Sequence, residues 1–105
     1  MQDFVQVAKV DELVSGEMKL IELGVNRILL VNYGGTFYAL TESCPHAGVE
    51  MSDGDLEGDE VICPAHGSRF NVITGEVTAS PADEPLGTYT VRVEGNDVLV
   101  RVGDH

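Results

Sequence analysis

Basic residues are scarce in this chain of 105 residues. Six lysines and arginines stand against eighteen aspartates and glutamates, which gives a formal net charge of −12. A surface with this charge repels the phosphates of nucleic acids and of anionic membranes, so we expect neither as a partner. The same acidity either keeps the protein in solution or attracts partners with basic docking patches, and composition leaves both interpretations open.

Long apolar runs are also missing. No stretch approaches the roughly 20 consecutive apolar residues of a membrane-spanning helix, and Met1-Gln2-Asp3 lacks the basic start of a secretory signal. The chain holds only two cysteines, and cysteines that serve as metal ligands instead of forming disulfides fit a reducing compartment. We therefore predict a cytoplasmic protein without a membrane anchor.

Both cysteines lie in short stretches of similar pattern, Cys44-Pro45-His46 and Cys63-Pro64-Ala65-His66. The stretches read C-x-H and C-x-x-H, and they hold two of the three histidines of the chain. Two thiolates and two imidazoles are a complete ligand set for a [2Fe–2S] cluster in which two histidines replace two cysteines on one iron. The proline after each cysteine stiffens its loop, because its φ angle is locked. The pattern therefore predicts an iron–sulfur protein that transfers electrons.

Two other sites would use the same residues. Two cysteines and two histidines also suit a Cys₂His₂ zinc site in a binding module, although a C-x-H pair departs from the usual spacing of zinc fingers. A redox-active disulfide would leave both histidines unexplained. Colour would distinguish the two metals, because a [2Fe–2S] protein is red-brown and a zinc protein is colourless.

The stretches C-P-H-x-G and C-P-x-H-G-S resemble the Rieske family. The run C-P-A-H-G-S-R-F-N-V-I-T-G is most similar to the small ferredoxins of bacterial ring-hydroxylating dioxygenase systems. This resemblance implies that Cys44 and Cys63 hold one iron, whereas His46 and His66 hold the other, more exposed iron. It also implies that the hydroxyl of Ser68 bonds a bridging sulfide of the cluster. Arg69 follows directly; it could guide an acidic partner or pair with a nearby carboxylate, and we favour the pairing.

Alternation of apolar and polar residues predicts an all-β protein of short antiparallel strands, with one helical turn over residues 10–13. A chain of this length forms a single domain, residues 1–105. The resemblance implies an incomplete barrel or sandwich as the base, with a cluster-binding subdomain inserted over residues 42–71. Strands are predicted at 2–8, 17–23, 27–33, 36–41, 60–62, 69–72, 88–94 and 97–102.

The chain shows no flavin or nicotinamide fingerprint, and its one further histidine, His105, is too few for a two-histidine, one-carboxylate iron site. We therefore expect an electron carrier and not an enzyme. The resemblance implies a monomer that passes electrons from an NAD(P)H-dependent flavoprotein ferredoxin reductase to a terminal Rieske non-haem iron dioxygenase, in the catabolism of aromatic hydrocarbons. The alternative within electron transfer is a fixed small subunit of a nitrite-reductase-like complex.

Overall fold

Eleven short strands and one 3₁₀ turn form the parts of the chain that the structure describes. The structure is a computed structural model, and it describes residues 4–23, 26–41, 54–64, 67–79 and 86–101. The strands are β1 Phe4–Lys9, β2 Met18–Leu23, β3 Asn26–Tyr33, β4 Thr36–Thr41, β5 Asp55–Glu57, β6 Glu60–Ile62, β7 Arg69–Asn71, β8 Val77–Ala79, β9 Thr88–Tyr89, β10 Val91–Glu94 and β11 Asp97–Arg101. The 3₁₀ turn is Val10–Glu12. No helix within these ranges is long and apolar enough to cross a bilayer.

The strands pair into three antiparallel sheets, which confirms the predicted all-β class. The terminal sheet has the strand order β1-β11-β10, and the central sheet has the order β2-β3-β4-β9. The third sheet, which we call the loop sheet, has the order β5-β6-β7-β8. Each of the three sheets is open, so the described strands form layers and do not close into a barrel.

Strand β3 organises the interior because it is buried on both faces. Residues 28–31 are apolar and 0% exposed, and successive side chains of a strand point to opposite faces of the sheet. Leu29 and Val31 belong to the hydrophobic core that includes the loop sheet. Ile28 and Leu30 belong to the core that includes the terminal sheet. The central sheet therefore lies between the terminal sheet and the loop sheet and packs against both.

Asn32 is a buried polar residue that connects two loops at the end of β3. Its side chain is 5% exposed. The Nδ2 group donates a 2.7 Å hydrogen bond to the carbonyl of Leu13, and Oδ1 accepts a 2.9 Å hydrogen bond from the backbone N–H of Gly35. The Leu13 carbonyl and the Gly35 N–H both lie in turns, where strand pairing does not satisfy them. The single amide of Asn32 therefore satisfies one acceptor and one donor.

Replacing Asn32 with alanine should destabilise the fold by about 1–3 kcal/mol, because a buried carbonyl and a part-buried N–H would lose their partner. The free energy of unfolding, measured by urea denaturation, tests this expectation. Gln6→Ala is the control, since Gln6 makes an exposed side-chain hydrogen bond to Asp97 and should cost about 0.5 kcal/mol or less. Equal unfolding midpoints for the two variants would contradict a structural role for Asn32.

The observed strands match the predicted positions with two kinds of exception. The predicted strand at 88–94 is divided: β9 pairs with β4 in the central sheet, whereas β10 pairs with β11 in the terminal sheet. Strands β5 and β8 were not predicted, because Asp55 and Glu57 are poor strand formers and β8 is only three residues long. The extended segment predicted around Pro81 and Pro85 lies outside the described residues.

Candidate metal centre

The second cysteine stretch forms the loop between β6 and β7. We call residues 63–68 the second ligand loop. The backbone N–H of Cys63 donates a 2.7 Å hydrogen bond to the carbonyl of Ser68, and the N–H of Gly67 donates a 3.0 Å bond to the carbonyl of Cys63. Gly67 has a φ of +76°, a conformation that glycine adopts without strain. These bonds close the loop at its base and bring its first and last residues together.

Cys63 is a free cysteine and is only 1% exposed. It belongs to the core beneath the loop sheet, beside the cross-strand pair Val61 and Phe70. Both of those side chains are 0% exposed. The packing therefore keeps water away from one side of the thiol, which fits a sulfur ligand of a metal centre better than an exposed reactive cysteine.

Ser68 is the second predicted site residue within the described part of the chain. It is 0% exposed, and its backbone carbonyl accepts the hydrogen bond from Cys63. A serine is rarely buried so completely, because its hydroxyl needs a hydrogen-bond partner. Its position at the base of the loop fits the hydrogen-bonding role that the sequence resemblance implies. A buried thiol that can bind iron, next to a buried hydroxyl that can donate a hydrogen bond to sulfur, therefore fits an iron–sulfur group.

Gly54 is a site residue that sequence analysis missed. A Cβ atom at this position would overlap the backbone carbonyl oxygen of Ile62 and would lie 3.2 Å from Cδ of Pro64. The segment that leads into β5 therefore lies directly against the start of the second ligand loop, and only glycine permits this approach. No local signal in the sequence distinguishes Gly54 from a turn glycine, because the contact depends on residues eight and ten positions away.

Arg69 forms two ion pairs next to the loop, as the sequence analysis favoured. Its Nη1 lies 3.1 Å from Oε1 of Glu60, and its Nη2 lies 3.1 Å from Oε1 of Glu57. A hydrogen bond with the side chain of Thr78, and a second one from Arg69, hold the pKa of the Glu60 carboxyl below its ordinary value. The carboxylate is thus the favoured form on this face of the loop sheet.

The remaining predicted ligands lie outside the described residues: Cys44, His46 and His66. Within the described ranges, no group of three or more histidine, cysteine, aspartate and glutamate side chains has an arrangement that could hold a metal ion. The structure therefore places Cys63 and Ser68 together, and the full ligand set stays a prediction.

Comparison with known proteins identifies the family. The Rieske [2Fe–2S] domain matches residues 3–90 of the chain. The chain belongs to the Rieske [2Fe–2S] domain family. It accordingly holds a [2Fe–2S] cluster, which favours iron–sulfur over the zinc alternative.

Relatives of this Rieske protein are components of dioxygenase systems. It is 46% identical over 89 residues to the ferredoxin component of biphenyl 2,3-dioxygenase from Rhodococcus jostii, a match that covers 85% of this chain and 83% of the relative. The ferredoxin of carbazole 1,9a-dioxygenase from Nocardioides aromaticivorans is similar in structure, with a TM-score of 0.88 and 33% identity over 92% of this chain and 95% of that chain.

A third comparison concerns a complex. The structure of reduced oxygenase with oxidised ferredoxin of carbazole 1,9a-dioxygenase contains a chain that matches this one with a TM-score of 0.88 and 33% identity, over 92% of this chain and 91% of that chain. These relatives are electron-transfer components and not catalysts. The Rieske protein described here is therefore an electron carrier, as its sequence predicts.

Proposed function

We propose that this Rieske ferredoxin passes single electrons from a flavoprotein ferredoxin reductase to the terminal oxygenase of an aromatic-ring dioxygenase system in the cytoplasm. The observation that carries the proposal is the 46% identity to the biphenyl 2,3-dioxygenase ferredoxin over 85% of this chain. The complex of the carbazole ferredoxin with its oxygenase supports it, because a chain of similar fold docks directly on an oxygenase there.

We infer the ligand set from the motifs and from the burial of Cys63. The proposed ligands are Cys44 and Cys63 on one iron and His46 and His66 on the other, within a subdomain over residues 42–71. When bound, the cluster takes up and releases one electron at a time. Ser68 would donate a hydrogen bond to a cluster sulfur, which stabilises the more negative, reduced form.

The burial of the cysteine side supports a direction for electron exit. Cys63 is 1% exposed, and Val61 and Phe70 beneath it are 0% exposed. These side chains exclude water and partners from one side of the Cys63 thiol. A partner would therefore approach the proposed cluster from another side, where the proposed histidine ligands would lie, and an electron would leave there.

The surface charge supports a partner with a basic docking patch. The net charge is −12. Ion pairs with carboxylates already engage five of the basic residues, namely Lys9, Lys19, Arg27, Arg69 and Arg92. Because these cations are compensated locally, they offer little attraction for an acidic partner. The excess carboxylates set the long-range field, which should speed encounter with a positively charged surface.

Electron transfer to an oxygenase should slow as salt is raised, because ions screen the attraction between the acidic carrier and a basic docking patch. Raising ionic strength from about 0.02 M to about 0.5 M should lower the second-order rate by about tenfold or more. The measurement is stopped-flow absorbance of the reduced ferredoxin mixed with the oxidised terminal oxygenase of the biphenyl 2,3-dioxygenase system.

Oxidation by a small neutral quinone is the control, since its rate should change little with salt. A salt-independent rate with the oxygenase would show that acidity does not guide docking. If the oxygenase takes up no electron at any salt concentration while the quinone does, the proposed partner is wrong, although the carrier assignment stands.

A further inference from the structure

Two acidic residues lie opposite each other on the outer face of the loop sheet. The strand register places Glu57 of β5 directly opposite Glu60 of β6, and Glu60 in turn opposite Asn71 of β7. Like charges directly opposite each other on one face of a sheet are destabilising. The pairing of β5 with β6 therefore depends on a compensating charge.

Arg69 provides that charge from β7. Its guanidinium reaches diagonally across the sheet and contacts Glu60 and Glu57 with separate nitrogen atoms, at 3.1 Å each. One connected group of three side chains thus links three strands of the loop sheet, β5, β6 and β7. The planar guanidinium suits this arrangement, since its fork presents several donors in fixed directions.

The position of Arg69 connects this network with the second ligand loop. Arg69 directly follows Ser68, whose carbonyl accepts the 2.7 Å hydrogen bond from Cys63. On the opposite face of the same strands, Phe70 and Val61 pack beneath Cys63. Contacts on both faces of the sheet therefore hold the backbone of β7 at Arg69. Because Ser68 is the preceding residue, a displacement of Arg69 would also move Ser68.

The geometry points to Arg69 as a positioning residue for the cluster site: by bridging Glu57 and Glu60 it holds the described ends of the second ligand loop, Cys63 and Ser68, in place. This inference rests on the proposed ligand set. It assigns Arg69 no contact with the cluster. Loss of the bridge would loosen β5 and β7 where they flank β6 and would weaken the hydrogen bond between Cys63 and Ser68.

Two variants test the inference on the cluster-loaded protein. Arg69→Ala removes the bridge, and Arg69→Lys keeps the charge but replaces the fork with a single ammonium group. Hydrogen exchange of the peptide spanning residues 60–70, read by mass spectrometry, should be about three- to tenfold faster in Arg69→Ala. Arg69→Lys should lie between Arg69→Ala and the wild type. The midpoint potential of Arg69→Ala, from titration followed by EPR, should fall as well.

Arg92→Ala and Arg92→Lys are the matched controls. Arg92 lies in β10 of the terminal sheet and pairs with Glu94 at 2.9 Å, so these variants make the same changes in net charge away from the second ligand loop. Exchange over residues 60–70 that is no faster in Arg69→Ala than in Arg92→Ala would overturn the inference. A lower midpoint potential in Arg69→Ala, together with hydrogen exchange equal to that of the wild type, would also overturn it. Loss of the positive charge alone would then explain the lower potential.

The test separates this inference from the proposed function. If the ligand set were wrong, Cys63→Ala would keep its iron and its Rieske-type EPR signal. If only the role of Arg69 were wrong, the wild-type signal would be present and the Arg69 and Arg92 variants would behave alike.

Discussion

Replacing Cys63 with alanine should abolish the cluster. Cys63 is the buried thiol of the second ligand loop, and an iron held by two thiolates cannot keep its coordination when one of them is lost. Iron and acid-labile sulfide should fall from one cluster per chain to near zero, and the EPR signal of the reduced protein should vanish. The thermal midpoint should fall too, because binding free energy of the cluster contributes to folding.

Val61→Ala is the control for this result. Val61 is 0% exposed and belongs to the same core as Cys63, so its truncation weakens the packing beneath the loop without removing a ligand. We expect Val61→Ala to lower stability by about 2–3 kcal/mol while it retains the cluster. A Cys63→Ala protein with a full complement of iron and an unchanged spectrum would remove Cys63 from the ligand set.

Replacing Gly54 with alanine should damage the fold although it adds only one methyl group. The added Cβ would overlap the carbonyl oxygen of Ile62, which is backbone and belongs to the paired strand β6. Overpacking against backbone that cannot move typically costs about 1–3 kcal/mol, occasionally more. The displacement would fall on the segment that begins the second ligand loop, so we also expect faster loss of the cluster. Unfolding by urea and the decay of visible absorbance measure the two effects.

Gly75→Ala is the matched control for Gly54→Ala. A Cβ atom at Gly75 would overlap the carbonyl oxygen of Leu86, again a backbone atom, and Gly75 also has a φ of +81°. It lies in the turn between β7 and β8, away from the second ligand loop. Both variants should therefore have a lower free energy of unfolding. Only Gly54→Ala should also lose its cluster faster than this loss of stability explains. Equal cluster lifetimes at matched stability would contradict a special role for Gly54.

Much of the strand pattern followed from local signals. The hairpin of β3 and β4 has an apolar run on each side of Gly34-Gly35, and both glycines adopt positive φ angles, 64° and 92°. Two glycines in this setting indicate a tight turn, because other residues are strained there. The 3₁₀ turn was equally local, since its residues Val10–Glu12 are adjacent in the chain. Elements that depend on neighbours within a few residues are therefore predictable.

The sheet change at Thr90 shows where local signals stop. Residues 88–94 alternate like one strand, yet β9 joins the central sheet and β10 the terminal sheet. Strand β10 forms a hairpin with the next strand, β11, whereas β9 pairs with β4, which lies far back along the chain. The alternation of apolar and polar residues indicates which side chains are buried, but it does not indicate which sheet a strand joins.

By itself the sequence determined the family and the cofactor of this protein, because cluster ligation depends on the chemical identity of cysteine and histidine and on their spacing within two short stretches. It also determined the net charge that a partner would meet. Only the tertiary structure decided that Gly54 lies against Ile62 and that Arg69 bridges Glu57 and Glu60. Both contacts depend on how β5, β6 and β7 pair, and strand register places such residues side by side without any pattern in the adjacent sequence.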